Sequence, residues 1–246
     1  GVWALAENLL SLLGPRILAA PAYEYSFVSG PVIDPAHLDA VAAGFVDALE
    51  SHPRLPKVLS LKYLDGEAPA TAALLAALAA RSGQQRILKE RARPFASKES
   101  GQKSSGSTRK KLRQDWNRLA AEGPVEVVTD RDPRHVRDAF EAFLLMEQRS
   151  WKGANGTALL SDAADARFVR AFIAALADDG SASVALLRLD GKAIAAQVVL
   201  YCGRMAYTWK TAYDAAHEKH SPGAVLIDKL SEQLFAGDLD AITSCS

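Results

Sequence analysis

The sequence predicts a mixed α/β fold, an open and mostly antiparallel sheet flanked by helices, on three observations. Apolar residues recur at helical spacing in some segments and alternate in others, so helices and strands are interleaved along the chain. Asp190-Gly191 stands between two apolar runs, the strongest short hairpin signal present. Of the 246 residues 49% are apolar and 24% charged, which supplies a core and excludes global disorder. Cys202 and Cys245 are the only thiols and glycine has no three-residue period, which excludes a disulfide framework and a collagen-like chain and fits a reducing compartment, the cytoplasm.

The elements follow in order. Residues 23–28 alternate as a strand does. Asp34-Pro35 offers a capping carboxylate and a proline at the first helical position, and Leu38, Val41, Phe45 and Leu49 continue at helical spacing. Residues 57–64 read as a strand, 70–81 as an alanine-rich helix closed by Gly83, and 85–90 as another strand. Residues 97–108 are polar, rich in Ser and Gly and without apolar period, a linker dividing a region 1–96 from a region 109–246.

Beyond the linker, 108–122 is a basic helix stopped by Gly123-Pro124, and 125–129 is a short strand. Asp132-Pro133 opens a helix with Val136, Phe140, Phe143 and Leu144 on one face, and Ser161 or Asp162 opens another carrying Phe168, Phe172, Ile173 and Leu176. Residues 182–189 and 193–201 are the arms of the hairpin at Asp190-Gly191, and Cys202-Gly203 turns into a third antiparallel strand, 205–213. A polar loop, 214–220, leads to Ser221-Pro222-Gly223, a helix over 224–235 stopped by Gly237, and a last strand over 239–243.

Several function classes are excluded or weakened. The early apolar stretch 5–20 is interrupted by Glu7, Asn8, Gly14, Pro15 and Arg16, short of the roughly 20 residues that span a bilayer, and lacks a secretory layout. The chain lacks a starting Met and stops directly after a strand-like run, so native sequence is expected beyond both ends. The five His are scattered without Cys or acidic partners at zinc-ligand spacing, so no metal site is expected. No GxxxxGK[ST] loop occurs, and neither Cys sits with a paired His as a thiol nucleophile would.

The net charge is zero, yet Arg86, Lys89, Arg91, Arg93, Lys98, Lys103, Arg109, Lys110, Lys111, Arg113 and Arg118 face only Glu90, Glu99 and Asp115 in one stretch. That run is either a solvated helix face and linker or an anion-binding surface for a phosphorylated cofactor, an acidic glycan or a nucleic acid. Nucleic acid fits least, because only Phe95 and Trp116 could stack on bases.

Four segments carry a family resemblance: 147–160 (EQRSWKGANGTALL), 187–200 (LRLDGKAIAAQVVL), 206–213 (AYTWKTAY) and 221–226 (SPGAVL). Together they resemble the GNAT acyltransferases, and more narrowly the GNAT-like proteins of bacterial cellulose and exopolysaccharide clusters. The resemblance covers roughly 109 to the C-terminus. It implies two tandem GNAT-like halves, a partial one over 1–96 and one over 109–246 that lacks its closing elements. It also implies transfer of an acetyl or longer acyl group from a coenzyme A thioester to an amine or hydroxyl, with a sugar or polysaccharide precursor as acceptor.

The candidate site follows from both readings. A helix start offers unpaired N–H groups and a positive dipole end, suited to a pyrophosphate. At 221–224, Pro222 costs no helix hydrogen bond and Gly223 removes a side chain that would block approach, while His217, Lys219 and His220 add potential positive charge. In the family pattern Arg or Gln is followed by two residues, Gly, any residue, and Gly or Ala; Ser221 and Gly223 take the small positions, and Glu218 departs where Arg or Gln belongs. The cofactor residues expected are Thr211, Tyr213, Lys219, His220, Ser221, Gly223 and Ala224. The equivalent step at 31–35 lacks glycine and carries Asp34, so the first region is expected to be structural or to position substrate.

Strand alternation puts Trp209, Thr211 and Tyr213 on one face and Lys210 and Ala212 on the other. Glu147 is the candidate general base, and Lys210 a candidate catalytic cation or a partner of Asp214 or Asp240. Trp151, Lys152 and Trp209 are candidate acceptor contacts. By resemblance the general acid follows the fifth strand, beyond Ser246. Two rivals stay open: a Fem-type transferase taking an aminoacyl group from tRNA, which Glu218 and the basic run both suit, and a non-catalytic binding subunit of a glycan assembly.

Overall fold

In a computed structural model, which describes residues 1–9, 14–20, 25, 28–81, 83–99 and 105–245, the chain divides into Gly1–Arg91 and Ala92–Ser246. The first unit holds a three-stranded sheet, β1 (Ala6–Leu9) antiparallel to β2 (Arg16–Ala19) and β2 parallel to β3 (Leu59–Ser60). Asp34 accepts the Ala36 N–H at 2.9 Å and starts a single turn that leads into α1 (Leu38–Ser51). Ala42 of α1 and Ala73 of α2 (Pro69–Ala80) are buried with Ile33 against Leu38, Val41 and Phe45.

The unit departs from the sequence reading at two segments and adds strands at a third. Residues 5–20 contain β1 and β2, a hairpin that periodicity does not reveal. The strand expected over 57–64 shrinks to Leu59–Ser60, with Lys57 turned back so that its Nζ donates to the carbonyls of Leu49, Glu50 and His52 at the end of α1. No strand forms over 85–90, where Ile87 and Leu88 are 71% and 82% exposed and so gain nothing from pairing. The strand expected over 23–28 lies mostly outside the described residues.

The second unit begins at Ala92, ahead of the expected linker over 97–108. There β4 (Phe95–Ser97) is a strand, and α3 (Gly106–Glu122) starts with the Ser105 hydroxyl accepting the Thr108 N–H at 3.2 Å; residues 100–104 lie outside the described ones. With β5 (Val125–Val128), β6 (Ala182–Leu189), β7 (Lys192–Cys202), β8 (Met205–Tyr213) and β9 (Ala241–Ser244) it forms a six-stranded sheet in the order β4-β9-β8-β7-β6-β5. All neighbours are antiparallel except β8 and β9, which run parallel. Asp190 and Gly191 turn the β6–β7 hairpin at φ of 50° and 75°, the left-handed pair such a turn demands. The next turn falls on Gly203-Arg204, one residue later than expected, because Cys202 still pairs with Met205.

Helices cover both faces of the sheet. Ala185, Leu187 and Leu189 of β6, Val199 of β7 and Ala206 of β8 pack with Leu119 of α3 and Val225, Leu226 and Leu230 of α7 (Pro222–Ala236). The alternate residues of β6, Val184 and Leu186, are buried on the other side, where α4 (Pro133–Arg149) contacts β6, β7 and β8 and α6 (Ala163–Asp178) contacts β6. Phe140 and Phe143 of α4 stack at 5.7 Å between ring centroids, both buried. Asp132 and Asp162 cap α4 and α6 as their sequence positions predict.

Candidate active site

The site is built on β8. Val198 pairs with Lys210 and Val199 with Thr208, so Trp209 is an extra residue, a bulge in mid-strand. Gln197, buried between the faces, staples it: the side-chain amide donates to the carbonyls of Val198 at 2.8 Å and Lys210 at 3.1 Å, and the Thr211 hydroxyl donates to its Oε1. The bulge corrects the expected alternation. The Trp209 ring meets Phe172 of α6 edge-on at 5.7 Å, whereas Thr211 and Tyr213 lie against Gly223 at the start of α7. Trp209 therefore faces opposite to Thr211 and Tyr213, not with them.

The strand is also open on one edge. β9 pairs only with Met205 to Thr208, and the Cys245 N–H donates to the Thr208 carbonyl at 3.1 Å. Among the described residues no strand covers β8 beyond that point. The Asp214 N–H donates to the Ile194 carbonyl on the β7 side, so alternation turns the backbone of Thr211 and Tyr213 to the open edge. At the mouth of this gap, burial pushes the Cys245 thiol up to about 12, which keeps it protonated and unfit as a nucleophile.

Two groups border the gap. On the α7 side, Ser221 adopts φ 47° and ψ 50°, a left-handed residue that turns the chain from the single-turn helix Ala215–His220 into α7. Its carbonyl takes the N–H groups of Ala224 at 3.0 Å and Val225 at 3.1 Å, so the Gly223 N–H is the first outward backbone donor of the helix. Lys111 Nζ donates to the Ser221 hydroxyl at 2.8 Å and also pairs with the buried Asp115. Ser107, Thr108, Lys111, Leu112, Ser221 and Ala224 line a cavity of about 310 Å³ between the starts of α3 and α7. This suits a phosphate group: two helix starts, three hydroxyls and an ammonium.

On the α4 side, Glu147 is fully buried, with Oε1 on Lys152 Nζ at 2.9 Å and Oε2 accepting the Leu159 N–H at 3.0 Å. Lys152, in the short helix α5 (Trp151–Ala154), also donates to the Thr211 carbonyl at 3.1 Å, on the open edge. Ser150 shapes this corner, its hydroxyl donating to the Glu147 carbonyl at 2.7 Å and accepting the Lys152 N–H at 3.2 Å.

Residues 106–243, more than half of the chain and within the second unit, match the acetyltransferase (GNAT) domain. The chain belongs to the GNAT family. No functionally curated protein matches its sequence. Among solved structures the GNAT chain is similar to FemX, with 12% identity and a TM-score of 0.61 over 97% of this chain and 74% of that one. It is also similar to L-PGS from Bacillus licheniformis, at 14% identity and a TM-score of 0.53 over 93% and 61%. A third is the C-terminal DUF2156 domain of a lysylphosphatidylglycerol synthetase-like protein from Agrobacterium fabrum, at 17% identity and 0.56 over 93% and 63%. The chain thus spans 63% of the DUF2156 structure and 61% of L-PGS, and at these identities the likeness is one of fold.

Set on the GNAT sheet, the residues singled out by sequence fall into three groups. Thr211, Tyr213, Ser221, Gly223 and Ala224 gather where β8 meets α7, and Glu147 and Lys152 meet the same strand from the α4 side. Lys210 lies beside the Trp209 ring, its Nζ 5.9 Å from the centroid. Trp209 is buried, and Trp151 is 61% exposed, so Trp209 serves as core while Trp151 is open to solvent.

His217, Lys219 and His220 turn away from the expected phosphate position. All three converge on Glu122, at 4.0, 3.3 and 2.8 Å, and the hydrogen bonds of His220 and Lys219, led by that of His220, hold the Glu122 carboxyl below its usual range. The cation at the start of α7 is instead Lys111, whose (i, i+4) spacing from Asp115 was readable but whose reach to Ser221 was not. Gln197 was missed as well, although a lone amide inside the apolar run AIAAQVVL is a signal in itself.

Proposed function

We propose that this protein transfers an acyl group to an amine or hydroxyl, with the donor laid along the open edge of β8 and its phosphates at the start of α7. One observation carries the reading: pairing with β9 ends at Thr208, the bulge follows at Trp209, and the freed backbone of Thr211 and Tyr213 runs directly to Ser221 and Gly223. An extended donor arm can add to such an edge as a strand would, with its carbonyl close to the bulge. Acyl-coenzyme A fits as donor, its pyrophosphate falling in the cavity of Lys111, Ser107 and Thr108. The acceptor's lone pair adds to the acyl carbon, the C–S bond breaks, and the thiolate leaves with the proton that the acceptor gives up.

Within this reading Glu147 positions rather than abstracts, because both its oxygens are already taken by Lys152 and Leu159. Lys210 and the exposed Trp151 border the acceptor side, and a sugar or polysaccharide precursor is the acceptor that the family resemblance favours. The likeness to longer solved proteins over 93% to 97% of the chain supports reading Gly1–Arg91 as part of a first GNAT-like half. Cytoplasmic action suits the two unpaired thiols.

A second donor, an aminoacyl ester of tRNA, is favoured by Glu218 and by Lys152, which occupies the Thr211 carbonyl that an amide arm would use. Calorimetric titration separates the two. Acetyl-coenzyme A and free coenzyme A are expected to bind at micromolar concentration, and Gly223→Trp or the surface change Thr108→Glu is expected to abolish the heat. Absence of heat in a folded full chain, with acyl transfer from aminoacyl-tRNA instead, overturns the coenzyme A donor. Absence of both overturns the enzyme reading in favour of a binding subunit.

A further inference from the structure

Lys152 is held as few surface lysines are. Burying a lone carboxylate is costly unless a cation accompanies it, so Glu147, with no exposed side-chain surface, pins the ammonium at 2.9 Å. An ammonium has three N–H donors. One goes to Glu147 Oε1, one to the Thr211 carbonyl at 3.1 Å, and among the described residues nothing takes the third. The side chain keeps 24% of its surface accessible, so that third donor is open to a ligand at the uncovered edge of β8.

The chemistry of that point is one-sided. The Thr211 carbonyl already takes one Lys152 N–H, while the ammonium remains as donor with its countercharge buried behind it. The pair is neutral at rest, so no bound anion is needed to balance it. What fits in front is a polarised oxygen on which negative charge grows.

We infer that the third N–H of Lys152 holds the carbonyl oxygen of the acyl group in transit. This rests on the acyl-transfer reading but not on the donor, since a thioester and an aminoacyl ester carry the same carbonyl. When the acceptor nitrogen or oxygen forms its bond to the acyl carbon, the carbonyl π pair moves onto oxygen, where Lys152 meets it. The pair returns as the C–S or C–O bond breaks, and the leaving thiolate or alkoxide takes the proton lost by the acceptor. Glu147 is the positioning residue of this arrangement, acting through Lys152.

The test uses the full chain with ¹⁵N in its lysine side chains, the Lys152 signal being assigned by its loss in Lys152→Arg. Acetyl-coenzyme A is compared with S-ethyl-coenzyme A, which lacks only the carbonyl oxygen, and 3′-alanylamino-3′-deoxyadenosine with 3′-amino-3′-deoxyadenosine. Calorimetry reports binding in parallel. The Lys152 signal is expected to move with the carbonyl-bearing probe that binds and to stay with its carbonyl-free counterpart. Heat without that difference overturns the inference and leaves acyl transfer standing; no heat from either carbonyl probe overturns both.

Kinetics on the donor so identified supply a second readout. Glu147→Gln with Lys152→Met removes both charges together, and its melting temperature checks the fold. Its kcat is expected to fall about 100-fold at little-changed KM, the loss typical of one oxyanion donor. Wild-type kcat in that double variant would make the pair purely structural and overturn the inference.

Discussion

At the scale of residues, Gly153 is the position with least freedom. A Cβ there would sit 1.8 Å from the Gln148 carbonyl oxygen, in backbone that no rotamer change relieves. The tight passage from α4 into α5 is what aims Lys152 back at Glu147 and out to Thr211. Gly153→Ala is therefore expected to destabilise the protein by about 1–3 kcal/mol, the usual cost of overpacking, and to weaken donor binding by shifting Lys152. Urea unfolding together with the calorimetric titration checks this, and a variant unchanged in both would show that the corner relaxes without consequence. By contrast, Gly223 leaves 3.4 Å to the Thr211 Cγ2, ordinary contact, so its role is to keep the start of α7 accessible rather than to permit the backbone.

At the scale of elements, β8 does most of the work and depends on Gln197. Its amide satisfies two carbonyls beside the bulge and its oxygen takes the Thr211 hydroxyl, all in buried surroundings. Gln197→Leu keeps the volume but orphans those groups, at a cost of about 1–3 kcal/mol. Amide hydrogen exchange is expected to speed up at 209–211 before it does elsewhere in β7 and β8. Uniform protection in the variant would mean that the bulge is held by packing of Trp209 on Phe172 alone. The helix starts are equally specific in cause: Asp132 and Asp162 each accept two backbone N–H groups of the following turn, which holds both carboxyls below their usual range.

At the scale of the whole molecule, these carboxylates set the response to acid. Glu122, Glu141, Asp214 and Asp240 are depressed as well, by hydrogen bonds from His220, Arg170, the Ala216 N–H and Arg204 respectively. A depressed carboxyl contributes stability above its unfolded value, near 4.5 for Glu and 3.8 for Asp, and loses it as pH falls through the folded value. Asp228, raised by burial, opposes this, and His135, raised by the hydrogen bond it donates to Asp130, contributes below about 6.5 and loses that contribution at higher pH. Most of these groups are solvent-facing, so each effect is small and screened by salt. The urea midpoint is expected to be highest between about pH 4.5 and 6.5, to fall steadily in more acid solution and to slip slightly towards pH 8. A midpoint level down to pH 3 would mean that the caps and ion pairs survive in the unfolded chain.

The sequence by itself determined what short-range forces decide. Capping carboxylates, prolines at helix starts and the Asp190-Gly191 turn act within a few residues, so the helices at Pro133–Arg149 and Ala163–Asp178, the three-strand meander and the GNAT resemblance were all legible in it. Where the local signal was weak, strand propensity lost: over 57–64 only Leu59–Ser60 pairs, with β2, and over 85–90 no strand forms. Only the tertiary structure decided the rest of the site. The face on which Trp209 lands depends on the register with β7, the direction of His220 on Glu122 at the far end of α3, and the hold on Lys152 on a carboxylate and a carbonyl drawn from two other elements. Apart from the Glu147–Lys152 pair, each of these is a contact between residues well separated in sequence, and such contacts exist only once the sheet has brought its helices together.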